Sequence, residues 1–130
     1  MRLLLDTHAL AWAVGAPERL SESARAALED SATLLFVSPV SVWEMSIKFK
    51  QGRWPEVAPF LDDALYARFL SHLRAEEVCI TSRHTRLAGQ FSAEHRDPFD
   101  RLLAAQSVEE GMAILSCDAA LDNFPLTRLW

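Results

Sequence analysis

The chain has 130 residues, 50% hydrophobic and 24% charged, the makeup of one ordinary globular domain, 1–130. No apolar run approaches the ~20 residues of a membrane span, and Asp6 interrupts the N-terminal apolar run too soon for a signal peptide. A net charge of −5 argues against a protein that coats nucleic acid by electrostatics alone, but not against an enzyme whose acids hold metal ions.

Leu3-Leu4-Leu5 is a short apolar run that ends on Asp6, and a helical pattern follows at once to about Val14, closed by Gly15 and Pro17. As a buried parallel strand, the run puts Asp6 at a carboxyl end, where open α/β sheets place their ligands. Taken alone, Asp6 reads as a helix cap. Ser21 caps a second helix through about Asp30, and Leu34–Val37 is the next buried strand. Ser38-Pro39 opens a helix to about Gln51, which Gly52 stops. From Val57 to Leu73, apolar residues at three- and four-residue steps predict one amphipathic helix with a core-facing stripe. Glu77–Ile80 is a third strand, followed by a short helix from Arg83 to Phe91. Asp97-Pro98-Phe99-Asp100 opens a helix through about Glu110, and Met112–Leu115 is a fourth strand. A helical turn follows Asp118, and Leu126–Leu129 adds a short last strand. Cys79 and Cys117 lie in apolar segments, two buried thiols without a metal or disulfide framework, which fits the reducing cytosol. Strands alternating with helices predict an α/β domain, a mostly parallel sheet of four to five strands with helices on both faces.

In such a sheet, strand carboxyl ends and the N-termini of the following helices share one edge, so Asp6, Glu44, Asp100 and Asp118 can converge there. Each acid also has a purely structural explanation. Glu44 and Lys48 stand four apart, the stabilising order for a helix-surface pair. With Trp43 and Ile47 as the buried stripe, Glu44 falls at the edge of that face. Asp97 before Pro98 fits a cap, and Asp100 fits the reciprocal acid of a capping box. Asp118 fits a cap of the turn Ala119–Leu121, and Asp122 a solvated acid. Capping explains why acids are tolerated at these places, but not why Asp or Glu stands where Ser or Thr would serve. Gathered carboxylates without matching cations repel, an arrangement that makes sense if hard divalent ions occupy it. The cysteines and histidines lack zinc-site spacing.

Four blocks occur in order: Leu4-Leu5-Asp6-Thr7-His8 with Trp12; Ser41-Val42-Trp43-Glu44-Met45-Ser46-Ile47-Lys48; His95-Arg96-Asp97-Pro98-Phe99-Asp100-Arg101 with Ala104-Ala105-Gln106; and Leu115-Ser116-Cys117-Asp118. Together, over about residues 2 to 124, they resemble the PIN-domain ribonucleases, in particular the VapC-type toxins of bacterial toxin–antitoxin pairs. The resemblance implies a three-layer PIN-like fold and puts the metal-site acids on Asp6, Glu44, Asp100 and Asp118. Of the two acids in Asp97-Pro98-Phe99-Asp100, the ligand is placed at Asp100, which precedes the small-residue helix Leu103-Ala104-Ala105 in the family's manner. Thr7 and Asp97 stand as supporting residues, and His8 as a residue behind the ligands or at the helix start.

The resemblance further implies Mg²⁺-dependent cleavage of single-stranded regions of RNA, with Mn²⁺ as the other candidate ion, in the cytoplasm. It implies a homodimer silenced by a cognate VapB-like antitoxin. Ser38, Ser41 and Ser116 have no adjacent His base, which sets a covalent mechanism aside. Lys48, Lys50, Arg53, Arg83, Arg86, Arg96 and Arg101 are candidates for contacts to the substrate backbone. Trp54, Phe60 and Phe69 lie where a partner would dock, with core packing favoured for the phenylalanines. Two other classes compete: a catalytically silent PIN-like module that binds RNA or protein, and a phospho-acceptor signalling domain. The second is at odds with Glu44 on a helix and lacks a convincing lysine after the last main strand.

Overall fold

The computed structural model describes residues 1–92 and 94–130. Strand β1 (Arg2–Leu5) is flanked on both sides, by β2 (Leu34–Val37) and by β4 (Ala113–Leu115). With β3 (Ala75–Glu77) and β5 (Arg128–Leu129) outermost, the sheet runs β3-β2-β1-β4-β5, and every pairing is parallel. Central position explains the leucine run: Leu3, Leu4 and Leu5 are all fully buried, as expected of a strand covered on both faces. Leu3 and Leu5 enter one core with Leu10, Leu35, Met45, Val57 and Phe60, while Leu4 enters the opposite core with Val40, Leu103, Ile114, Leu121 and Phe124.

The helices are α1 (Thr7–Gly15), α2 (Glu22–Glu29), α3 (Pro39–Lys50), α4 (Asp63–Leu73), α5 (Ser82–Gln90) and α6 (Pro98–Glu109). Short 3₁₀ turns cover Pro17–Arg19, Pro55–Leu61 and Ala119–Asn123. The caps fall as the sequence predicts: Ser21 accepts from Ala24 N, Ser38 from Val40 N, and Asp97 from Phe99 N and Asp100 N.

The chain winds outward in opposite directions from β1 and β4, so the junction between these strands is the switch point at which open sheets bind ligands. Their register, with Leu5 beside Leu115, sets Asp6 and Ser116 next to each other at the carboxyl edge.

Four expectations are corrected. The stretch Val57–Leu73 is not one helix: Asp62 accepts from Leu65 N and caps a new helix, and Pro59 sits in the separate 3₁₀ turn before it. The apolar spacing persists because both pieces pack inward, Phe60 against Phe69 with ring centroids 5.0 Å apart. The third strand lies earlier than Glu77–Ile80, because Arg74 takes a left-handed conformation (φ 56°) that ends α4 and turns the chain straight into β3. Cys79 and Cys117 are exposed free thiols, not buried ones, since each stands beyond the last paired residue of its strand. Trp43 does not belong to the buried stripe of α3: it is 55% exposed, and Val40, Ser41, Glu44 and Met45 face inward instead.

Candidate active site

Asp6 ends β1 and caps α1, its Oδ1 accepting from Ala9 N at 2.7 Å. Thr7 opens α1 and donates its hydroxyl to Glu44 Oε1 at 2.6 Å, with Ser41 Oγ 3.1 Å away. Glu44, in the second turn of α3, is only 5% exposed, and its Oε2 accepts from Lys48 Nζ at 2.6 Å. The spacing of four places this pair correctly, but it is a buried carboxylate tied down by two donors rather than a surface pair. Asp100 turns away from the capping-box role, and its Oδ2 lies 3.1 Å from His95 Nε2. Asp97 does the capping alone, its Oδ1 2.9 Å from Phe99 N and 3.1 Å from Asp100 N. Asp118 caps the 3₁₀ turn, accepting from Ala120 N at 2.9 Å, and Asp122 is solvent-exposed as expected and also forms a two-pronged ion pair with Arg128.

Asp6, Glu44, Asp97, Asp100 and Asp118 line one cleft of ≈ 230 Å³, together with Thr7, His8, Lys48 and Cys117. All the acids singled out from the sequence are therefore brought to one place by four different elements. Burial pushes the Asp6 carboxyl up to about 6, and the Asp100 and Glu44 charges push the same way against hydrogen bonds from Ser116 and Ala9. Asp100 also rises to about 6, first by burial and then by the neighbouring Asp97 charge, with Asp118 and Glu44 adding to it and His95 opposing. His8 is held below its usual value by burial and then by Lys48.

These are hard oxygen donors in excess over the one lysine of the cleft. Among the described residues, no three His, Cys, Asp or Glu side chains are already drawn into an ion-holding cluster. The acids that line the space are oxygen donors of the kind hard divalent ions take.

Two residues escaped the sequence reading. His95, noticed only within a motif, orients Asp100, and the Ser116 hydroxyl supports Asp6. A histidine five residues before an acid and a serine two before another carry no distinctive spacing, so nothing short of the fold reveals them. Of the candidate cations, Lys48 lines the cleft, whereas Arg83 pairs with Glu109 and Arg101 donates to the carbonyls of Ala88, Phe91, Ser92 and His95.

A parallel sheet in this order, with acids from β1, α3, α6 and the turn after β4 around one cleft, defines the PIN class of α/β domain. The PIN domain family model matches residues 3–125, and the chain belongs to that family and, within it, to the VapC type. Ribonuclease VapC22 of Mycobacterium tuberculosis is 30% identical over 119 residues, 92% of this chain and 88% of the relative. Among solved structures, VapBC2 from Rickettsia felis, bound to a promoter DNA fragment, superposes with a TM-score of 0.71 at 16% identity, covering 99% of this chain and 98% of its own. FitAcB from Neisseria gonorrhoeae gives 0.65 at 14% identity, with 98% and 96% covered. At such identities the two structures show the shared fold alone.

Proposed function

We propose that the chain is a metal-dependent endoribonuclease toxin, silenced by a cognate antitoxin. The observation that carries this reading is the convergence of Asp6, Glu44, Asp100 and Asp118 at the switch point, with two of the carboxyls pushed up to about 6. A relative named ribonuclease VapC22, at 30% identity, supports it, and the fold shared with the VapBC2 structure agrees with it. The catalytically silent alternative gains no such support, because all four acids are present at the cleft.

Asp6 and Asp100 would hold the ion, Mg²⁺ or Mn²⁺, with Glu44 and Asp118 completing the site directly or through water. When bound, such an ion polarises the phosphodiester, lowers the pKa of an attacking water and stabilises the leaving oxygen. The protein's own part is positional. Asp6 is held by Ala9 N and Ser116, Glu44 by Thr7 and Lys48, and Asp100 by His95, so the carboxylates are oriented before substrate arrives. A homodimer and a VapB-like partner complete the proposal.

The test is cleavage of single-stranded RNA by purified protein with Mg²⁺ or Mn²⁺, set beside EDTA-treated protein and the Asp6→Asn and Asp100→Asn variants. Metal-dependent cleavage that both variants lose supports the enzyme. No cleavage by wild-type protein with either ion sinks it.

A further inference from the structure

Beside the carboxylate cleft lies a second pocket of ≈ 230 Å³, lined by His8, Lys48, Arg53 and Trp54. His8 and Lys48 line both spaces, so the pocket continues the cleft. Its chemistry is the reverse of its neighbour's. Where the cleft has acids, the pocket has two cations and two aromatic rings. The His8 and Trp54 rings stack with centroids 4.6 Å apart at 23°, and Lys48 Nζ lies 5.6 Å from the Trp54 centroid. Trp54 is half-buried and packs against the core, which holds its ring in place. Arg53 is exposed, and among the described residues its one side-chain hydrogen bond is to Gln51 Oε1 at 3.2 Å.

We propose that this pocket is a nucleotide subsite: the paired rings of Trp54 and His8 take one unpaired base, and Lys48 and Arg53 take the phosphate joining it to the nucleotide in the cleft. The inference rests on the cleft being a ribonuclease site and says where the substrate is gripped. Without an ion the carboxylates of the cleft repel a phosphate, so Lys48 and Arg53 beside them add a hold on the strand that does not depend on the ion. Aromatic rings give a base a stacking surface whatever its sequence, and cations alongside track the backbone. A pocket below the ~300 Å³ at which drug-sized ligand sites begin suits a single planar ring system. A base in duplex is stacked and paired and cannot enter it, so the subsite requires a single strand. A protein segment would also find the rings, but a stacked ring pair with two cations beside it matches base and phosphate better.

The experiment uses full-length Asp100→Asn protein, which keeps the pocket while removing a carboxylate proposed for cleavage. It is titrated with a short labelled single-stranded RNA, and with a ribose-phosphate strand of equal length lacking bases, by fluorescence anisotropy. Trp54→Ala is expected to weaken the RNA roughly 5- to 150-fold, the loss of one stacked base. It should leave the abasic strand unchanged, and Trp54→Phe should recover most of the affinity. Arg53→Ala is expected to weaken both strands and to lower the log–log salt slope by about 0.7, one single-strand phosphate contact. If Trp54→Ala does not fold, the Arg53→Ala salt slope decides alone. Equal losses on both strands for Trp54→Ala overturn the subsite. So does unchanged RNA affinity in both variants, the result expected if the pocket serves a protein partner. If this protein binds no RNA and wild-type protein cleaves none, the ribonuclease reading itself has failed and the subsite falls with it.

Discussion

The cleft has two unlike walls. On the side of α1 and α3, Glu44 accepts from both Thr7 and Lys48 at 2.6 Å, so the carboxylate is buried, neutralised and fixed. On the side of α6 and the turn after β4, Asp97, Asp100 and Asp118 crowd together, and His95 is the side chain that steadies Asp100. Asp6 stands between, nearly buried and pushed up to about 6 like Asp100. The first wall keeps its geometry by its own ion pair and hydrogen bond. The second carries charge that a cation would balance. A site built this way keeps its compensated carboxylate on one wall and its uncompensated charge on the other.

Breaking the crowded wall should have the largest effect. Asp100→Asn is expected to lower RNA cleavage ~10²–10³-fold, since the polarisation an ion supplies is worth several kcal/mol and each ~1.4 kcal/mol is tenfold in rate. Activity within a few-fold of wild type would move the chemistry off this wall.

The same crowding predicts a pH signature. In the folded chain Asp6 and Asp100 keep their protons up to about 6, against 3.8 for the ordinary carboxyl. Between those values the folded state binds more protons than the unfolded, so metal-free stability falls as pH rises through the window. Melting of EDTA-treated protein should show that fall, and the Asp6→Asn/Asp100→Asn variant should show much less of it. Mg²⁺ at about a hundred times its Kd should return ~2.7 kcal/mol, more near pH 7 than near pH 5. A response identical in the double variant would place ion binding elsewhere.

The self-sufficient wall can be tested through Lys48→Met, which leaves Glu44 buried with only the Thr7 hydroxyl. Because Lys48 is itself a quarter exposed (25%), the cost should be ~1–3 kcal/mol rather than that of a fully buried pair. Glu44→Gln in the same chain should recover part of it in chemical denaturation. No loss at all would mean that solvent already neutralises Glu44.

The smallest effect sharpens the choice between Asp97 and Asp100. Asp97→Ser keeps an oxygen for the cap and should change stability by less than ~0.5 kcal/mol, whereas Asp97→Ala should cost ~1 kcal/mol. Cleavage should stay within a few-fold for both. If Asp97→Ser loses activity as Asp100→Asn does, Asp97 is the ligand.

Much of this was legible before the fold. The leucine run, the caps at Ser21, Ser38 and Asp97, and the order of strands and helices follow from local rules: period, capping chemistry, and Gly or Pro stops. The four acids were legible as a set because their neighbours form recognisable blocks. Other features were not. Trp43 and Glu44 are adjacent, and spacing alone made the tryptophan the buried one, when a carboxylate with two donors could be buried instead. Spacing likewise ran one helix through Asp62, because apolar periodicity continues across a cap when both pieces pack on the same core.

The chain by itself therefore determined that Asp6 ends a buried strand and begins a helix, since apolar run, acid and helical period are contiguous. Which acids share a cleft, which of them is already neutralised, and that Trp54 and Arg53 stand beside them was decided only by tertiary structure. The reason is that these relations join elements distant in sequence through the register of β1 with β4 and the packing of α1 against α3. Local preference cannot encode either.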